Sequence, residues 1–156
     1  MNKNLLVILC ATSCISANAS PYVDGNIGAN TSENTLSING NGGYMLNKYF
    51  GAEAGLTYSS KYLIFDGAAK GILPLNSQFS LFGKLGIAFT NYSGSSSSCG
   101  QYGGCSDATN SSSSLGVLIG VGAEYNLSKQ ISLHVEDYTT TGSNINFLMF
   151  GTQYNF

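Results

Sequence analysis

The sequence predicts an all-β fold: a transmembrane eight-stranded antiparallel up-and-down β-barrel. Three observations carry that expectation. Charged residues are only 9% of the 156 positions, against roughly a quarter in an ordinary soluble domain. Beyond residue 19 the chain breaks into segments of about ten residues whose apolar side chains recur with period two, the strand signal. Within those segments one face is apolar and ends in aromatics, while the other is small or ionisable. About ten residues at a steep tilt is also what a β-strand needs to cross a bilayer.

The rest of the composition excludes other classes. Aromatics reach 12%, Gly is 20 and Pro only 2, the opposite of a disordered chain and without the strict Gly period of a collagen. Net charge is −2, and the six basic residues, all Lys, form no cluster. No nucleic-acid partner is expected, because such partners call for a basic patch.

The first stretch reads as a targeting segment. Lys3 supplies a positive charge, Leu5 to Cys10 is a continuous apolar run, and Ala17-Asn18-Ala19 is a small-x-small cleavage pattern. Residues 1–19 are therefore expected to be a secretory signal peptide, leaving 20–156 as the barrel domain. A buried strand or short helix is the alternative, since the run is too short to span a bilayer as a helix. Cys10 and Cys14 leave with the peptide unless Cys14 is an acylated lipoprotein residue. The longest later apolar stretch, Leu115 to Tyr125, is broken by Gly116, Gly120, Gly122 and Glu124 and reads as a strand.

Eight strands follow in order. The first, Tyr22 to Ala29, sets Asp24 and Asn26 opposite Val23 and Ile27. The second, Thr35 to Leu46, sets Ser37, Asn39 and Asn41 opposite Leu36, Ile38 and Tyr44. In the third, Phe50, Ala52, Ala54, Leu56 and Tyr58 oppose Gly51, Glu53, Gly55 and Thr57. The fourth, Tyr62 to Leu73, places Asp66 and Lys70 against Phe65 and Leu73. The fifth places Phe79, Leu81, Leu85, Ile87 and Phe89 against Ser80, Lys84, Gly86, Ala88 and Thr90, with Phe82 as an apolar exception on the polar face. The sixth sets Leu115, Val117, Ile119, Val121, Ala123 and Tyr125 against Gly116, Gly120, Gly122, Glu124 and Asn126. The seventh sets Ile131, Leu133 and Val135 against Ser132, His134 and Glu136. The eighth, Asn144 to Phe156, ends with Phe150, Thr152, Tyr154 and Phe156 on one face.

Connections of two kinds alternate. Leu46-Asn47-Lys48, Pro74 to Gln78 and Asn126 to Gln130 are short turns. Asn30 to Glu33, Ser59-Ser60-Lys61, Ser93 to Ser113 and Thr139 to Ser143 lie at the other end, and one of them is long. Long loops at one end are the asymmetry of an outer-membrane barrel, where they face outside the cell.

A soluble barrel would cover its exterior with charge, and this chain has too little. The apolar face is therefore expected to meet lipid, with aromatics such as Tyr44, Tyr49, Phe50, Tyr58, Phe79, Phe89, Tyr125, Tyr154 and Phe156 forming two interfacial girdles. The inward ionisable set is then Asp24, Glu53, Asp66, Lys70, Lys84, Glu124, His134 and Glu136. Buried charges must be paired or hydrogen-bonded, and eight strands leave an interior just wide enough for side chains. A lumen plugged by a salt-bridge network around Lys70 and Lys84 follows. Water, a cationic His134 or protonated carboxyls would offset the acidic surplus.

These residues resemble the small outer-membrane β-barrels typified by the OmpA-like transmembrane domain. The likeness is carried by Gly43-Tyr44-Met45-Leu46-Asn47-Lys48-Tyr49-Phe50-Gly51-Ala52-Glu53-Ala54-Gly55, by Asp66 to Pro74 and by the terminal Tyr154-Asn155-Phe156. It implies both termini in the periplasm of a Gram-negative bacterium, and Tyr154 and Phe156 as a signal for the barrel-assembly machinery. Larger members of that family add a peptidoglycan-binding domain. This chain ends at Phe156, so that activity is not carried over.

Cys99 and Cys105 sit inside Ser93 to Ser113. Two Cys in an exported chain read as a disulfide, here stiffening the tip of a solvated, mobile, Ser-rich loop; no His stands near for a zinc site. Ser132, His134 and Glu136 share a face, but their order does not match the His-x-Ser of lipid A deacylase barrels, so lumen packing is expected and no enzyme. No cofactor or metal is expected. Porins need about 16–18 strands, which leaves only narrow ion conduction through an acidic lumen as an alternative. The expected role is that of a monomeric, non-enzymatic outer-membrane protein. Its partners would be outer-membrane lipids and lipopolysaccharide, and a host or neighbouring cell surface met through its loops.

Overall fold

Eight strands close into one antiparallel barrel, each beside its neighbours in the chain: β1 (Ser20–Asn30), β2 (Thr35–Met45), β3 (Phe50–Ser59), β4 (Tyr62–Pro74), β5 (Phe79–Cys99), β6 (Cys105–Asn126), β7 (Ile131–Thr140) and β8 (Ile145–Asn155). The structure is a computed structural model describing residues 20–99 and 105–156, with side chains described for 20–93 and 111–156. The seam closes where β1 pairs with β8, from Tyr22 opposite Asn155 to Asn30 opposite Phe147. Closure leaves no unpaired strand edge in the wall, the requirement for β-structure in lipid.

Alternation sets the two faces. Val23, Ile38, Leu56, Phe65, Leu85, Ile87, Val121 and Phe150 stand outside and exposed, while Asp24, Asn39, Glu53, Lys70, Lys84, Glu124, His134 and Glu136 are buried inside. A side-chain period of two makes this all-or-none: a slip of one residue would send the inner set into lipid. The aromatics are less even than expected. Tyr44, Tyr49, Phe50, Phe79, Tyr125, Tyr154 and Phe156 ring the short-turn end, whereas Tyr58 and Phe89, joined by Phe65, mark only the β3–β5 side of the other end.

The three short turns are built alike. Asn47 Oδ1 accepts the backbone N–H groups of Tyr49 and Phe50, Asn76 Oδ1 those of Gln78 and Phe79, and Ser128 Oγ those of Gln130 and Ile131. Each turn is also closed by a bond from Leu46, Leu75 or Leu127 N–H to the carbonyl four residues on. Two of the opposite turns pass through Asn34 and Asn144 at φ 54° and 49°, the left-handed region that Asn tolerates better than most residues.

The segment Ser93 to Ser113 departs from expectation. Its described parts, 93–99 and 105–113, are the upper part of a β-ribbon, with β5 and β6 paired in continuous register out to Cys99 opposite Cys105. The neighbours stop well below, β4 at Tyr62 opposite Tyr92 and β7 at Thr140 opposite Leu118. Beyond those neighbours β5 runs on for seven residues, 93–99, and β6 for thirteen, 105–117, roughly 20 and 40 Å of strand. Ser runs carry no apolar alternation, so periodicity had nothing to register. The hairpin below fixes the pairing, and the backbone ladder needs no side-chain pattern. The Cys99–Cys105 disulfide lies outside the described side chains, and the signal segment 1–19 lies outside the described residues.

Candidate functional site

The lumen gathers most of the chain's ionisable side chains and divides into two zones. At the short-turn half, Lys84 Nζ lies 2.6 Å from Glu53 Oε1 and 2.5 Å from Glu136 Oε2. Strands β3, β5 and β7 thereby meet at one ammonium. Lys70 Nζ lies 3.9 Å from Glu124 and donates to Gln153 Oε1 at 3.0 Å. The Tyr22 hydroxyl donates to Glu53 Oε2 at 2.6 Å, so that carboxylate is held from both sides. Burial of this kind requires such pairing, because an uncompensated charge in a dry interior costs several kcal/mol.

Phe82 is the apolar exception on the polar face, and its surroundings explain it. Its ring lies 4.6 Å from Lys70 Nζ and 5.6 Å from Lys84 Nζ, centroid to nitrogen. Such contacts let an aromatic ring serve as a counter-surface for buried cations. The edge of His134 meets the same ring at 6.0 Å. Gly122 makes room: a Cβ there would collide with the Phe82 ring and the Val135 carbonyl.

The other ionisable residues are not all drawn into ion pairs. Asp24 is held by amides, accepting from Asn26 at 2.7 Å and Asn41 at 2.8 Å. Asn39 continues this ladder to Asn26, Asn41 and Thr57. Asp66 has no ion pair among the described residues and lies with Asn41 Oδ1 in the space that a Gly55 side chain would fill. His134 is buried with neither ring nitrogen hydrogen-bonded among the described residues. Ser132 Oγ is likewise unbonded, and Glu136 faces Lys84. The three residues share a face without forming a nucleophile–base–acid relay, which needs hydrogen-bond contact at each step.

The other half of the lumen carries no buried ion pair among the described residues and combines buried Asn30, Ser37, Thr57, Ser59, Thr90 and Thr140 with an apolar cluster. Ile64, Ala68, Ala88, Leu118, Tyr138, Ile145, Phe147 and Met149 form one buried cluster. Phe147, Ile64 and Met149 are fully buried. Tyr138 stacks on Phe147 at 5.0 Å and bonds Thr57 Oγ1 through its hydroxyl at 2.8 Å. Sequence reasoning missed this cluster along with Tyr22 and Gln153. The alternation on β4, β6 and β8 contains the signal, since Ile64, Leu118, Phe147 and Met149 occupy inward parities, but apolar side chains were assigned to lipid. Between the two zones a gap of about 10 Å³ remains among Asn39, Asn41, Glu53, Asp66, Lys84 and Glu136.

At the long-hairpin rim, Glu33 meets Lys61 at 3.6 Å and accepts from the Tyr62 hydroxyl at 3.1 Å. At the opposite end Phe156 N–H donates to Pro21 carbonyl at 3.0 Å, and the rings of Tyr154 and Phe156 meet edge-on at 5.1 Å, both exposed.

This architecture is shared with solved structures. The N-terminal β-barrel domain of Pseudomonas aeruginosa OprF is similar with a TM-score of 0.71 at 13% identity, over 88% of this chain and 97% of that one. Ail, the attachment invasion locus protein of Yersinia pestis, is similar with a TM-score of 0.58 at 16% identity, over 88% and 97%. The outer membrane enzyme PagL is similar with a TM-score of 0.54 at 15% identity, over 85% and 98%. At such identities the likeness speaks for the fold alone. No curated protein sequence matches the chain. The family model of the outer membrane protein beta-barrel domain matches residues 5–156.

Proposed function

Because the chain belongs to the outer membrane protein beta-barrel domain family, we propose that it is a non-enzymatic surface protein of the outer membrane, with a plugged lumen and a contact element in its tall hairpin. In this reading residues 1–19 direct export, the short turns and both chain ends face the periplasm, and the β5–β6 ribbon faces outward. Tyr154 and Phe156 serve the barrel-assembly machinery. The supporting observation is the contrast between interior and ribbon. The gap among Asn39, Asn41, Glu53, Asp66, Lys84 and Glu136 is about 10 Å³, at the lower limit for a single water. The ribbon instead carries a continuous ladder beyond the wall.

Neither alternative has comparable support. A narrow pore would need a wetted path, and the apolar cluster lies across it. A lipid-modifying enzyme, the reading that likeness to PagL invites, would need a bonded base, and His134 has none among the described residues. Replacing residues 93–113 by a tight turn tests the proposal. Cells carrying the shortened barrel should adhere less to host or neighbouring cells, with heat-modifiable gel mobility unchanged. Unchanged adhesion would refute the contact role.

A further inference from the structure

Above the wall the β5–β6 ribbon has two unequal edges. On β5 the last bond to a neighbour runs from Ser93 N–H to the Lys61 carbonyl, at 2.9 Å, and residues 94–99 continue beyond it. On β6 the last bonds are at Val117. Its carbonyl accepts from Thr141 N–H at 2.9 Å, and its N–H donates to Thr141 Oγ1 at 3.0 Å. Residues 105–116 continue beyond it. Among the described residues no backbone group pairs with the outer side of that stretch.

Parity fixes which groups the β6 edge presents. Both backbone groups of Val117 face away from β5, and the β5–β6 register is constant up to Cys99 opposite Cys105, with no bulge among the described residues. In an antiparallel pair successive residues alternate between one neighbour and the other. Leu115, Ser113, Ser111, Thr109, Asp107 and Cys105 therefore turn N–H and C=O outward, while the residues between them bond to β5. Ser93 confirms the phase: it stands opposite Ser111, and its N–H also points away from the ribbon, to Lys61. Natural proteins blunt such an edge with Lys, Pro, a bulge or brevity. Residues 93–117 contain no Pro, Lys or Arg and a single charge, Asp107.

We propose that the β6 edge above Val117 takes up an extended segment of a foreign polypeptide as an added strand. The row of backbone groups selects that occupant. Outward donor–acceptor pairs recur about every 6.8 Å along the edge, and an extended peptide backbone returns acceptors and donors at that spacing. A second copy in the same membrane does not fit. A twofold axis along the membrane normal would set β6 parallel to its copy at equal height, so that each N–H meets an N–H. Parallel strands pair only with their facing residues staggered, through slanted bonds. The copy's β5 edge, residues 94–99, would cover about half of the β6 edge. The inference rests on the contact role proposed for the ribbon and names what the ribbon contacts.

The test uses the full chain in detergent micelles and a fluorescent peptide of alternating Thr and Lys, about twelve residues long to match the edge. Its Thr residues favour an extended strand, and its Lys residues suit an edge whose one charge is acidic. Anisotropy should report binding, and the same peptide N-methylated throughout should not bind. Amide exchange should slow at Thr109, Ser111 and Ser113 and stay unchanged at Ser112 and Ser114, which already bond to β5. Thr109→Pro with Ser111→Pro should weaken binding about thirtyfold, the worth of two backbone hydrogen bonds. Pro is tolerated on an edge strand where its missing N–H would face solvent, so heat-modifiable mobility should persist. Thr109→Ala with Ser111→Ala should bind as the wild type does, because the backbone is unchanged. Absent wild-type binding, capture of the N-methylated peptide, a Pro variant that binds normally, or wild-type self-association that the Pro variant abolishes would overturn the proposal. Adhesion separates the two readings. Adhesion lost on replacing 93–113 but kept in the Pro variant overturns the added strand and leaves the contact role. Adhesion unchanged by that replacement refutes the contact role, and Pro-sensitive peptide capture then supports the added strand by itself.

Discussion

In the short-turn half of the lumen, Lys84, Glu53, Glu136, Lys70 and Glu124 fill the space, and their partners come from β1, β3, β4, β5, β6, β7 and β8. In the long-hairpin half, Ile64, Leu118, Phe147 and Met149 fill the same bore with no formal charge. The two halves constrain the fold differently. Apolar packing tolerates exchange of one aliphatic group for another of similar volume. A buried ion pair accepts only its partner, and losing one member strands the other. The charged half therefore specifies register, since only one pairing of strands brings Lys84 between Glu53 and Glu136. The apolar cluster fills its share of the bore without the desolvation cost of a buried charge.

The largest effect should follow from breaking the charged half. Lys84→Met leaves Glu53 and Glu136 buried without their cation, and should cost about 3–5 kcal/mol in urea unfolding of the barrel in lipid vesicles. Adding Glu53→Gln and Glu136→Gln should recover most of that loss, because it removes the stranded charges rather than restoring a contact. A triple variant as unstable as Lys84→Met would mean that Lys84 acts by packing and the contrast is misdrawn.

The apolar half should respond in a second way. Phe147→Ala removes a fully buried ring stacked on Tyr138 and should cost about 3 kcal/mol. Combined with Met149→Ala, it should also open a wetted path. Planar-bilayer recording should show a silent wild type and small steady conductance in the double variant. If Lys84→Met conducts and the Phe147/Met149 variant stays silent, the water seal lies in the charged half.

The contrast between the halves also marks how far the sequence could be read. Strand number, faces and closure follow from period-two alternation because one wrong parity anywhere would put Lys84 or Glu136 into lipid. The inward charged residues were legible for the same reason. The apolar cluster was not, because Phe147 and Met149 look like lipid-facing residues unless their parity is followed along β8 from Gln153. The partners of Tyr22 and Gln153 depend on the barrel's bore, which brings residues 31 and 83 positions apart into contact. No local pattern encodes that. The ribbon was missed for a third reason: its pairing is inherited from the strands beneath it.

A smaller effect is expected where the halves depend on missing side chains. Gly151 lies opposite Asn26 on β1 and His134 on β7, and a Cβ there would collide with Asn26 Oδ1. Gly151→Ala should cost about 1–3 kcal/mol through overpacking. Adding Asn26→Ser should recover part of it. At Gly67, outward-facing with open space around a Cβ, the same Gly→Ala change should be neutral or mildly stabilising, since Gly is unfavourable in a strand. Equal costs at both sites would show that backbone propensity, not lumen packing, decides them.

The smallest effect should come from His134, although it sits deep in the charged half. Neither ring nitrogen has a hydrogen-bond partner among the described residues, and its described contact is the edge-on meeting with Phe82. Replacing it with Phe keeps an aromatic ring there and removes a polar group whose burial is uncompensated by hydrogen bonds. His134→Phe should therefore shift urea stability by less than about 1 kcal/mol, in either direction, where Lys84→Met costs several. It should also leave lipid A extracted from expressing cells with an unchanged acyl pattern by mass spectrometry. A loss comparable to Lys84→Met would place His134 in the ion-pair network. A changed acyl pattern, with stability intact, would convert the charged half from a structural plug into a catalytic chamber and reverse the proposed function.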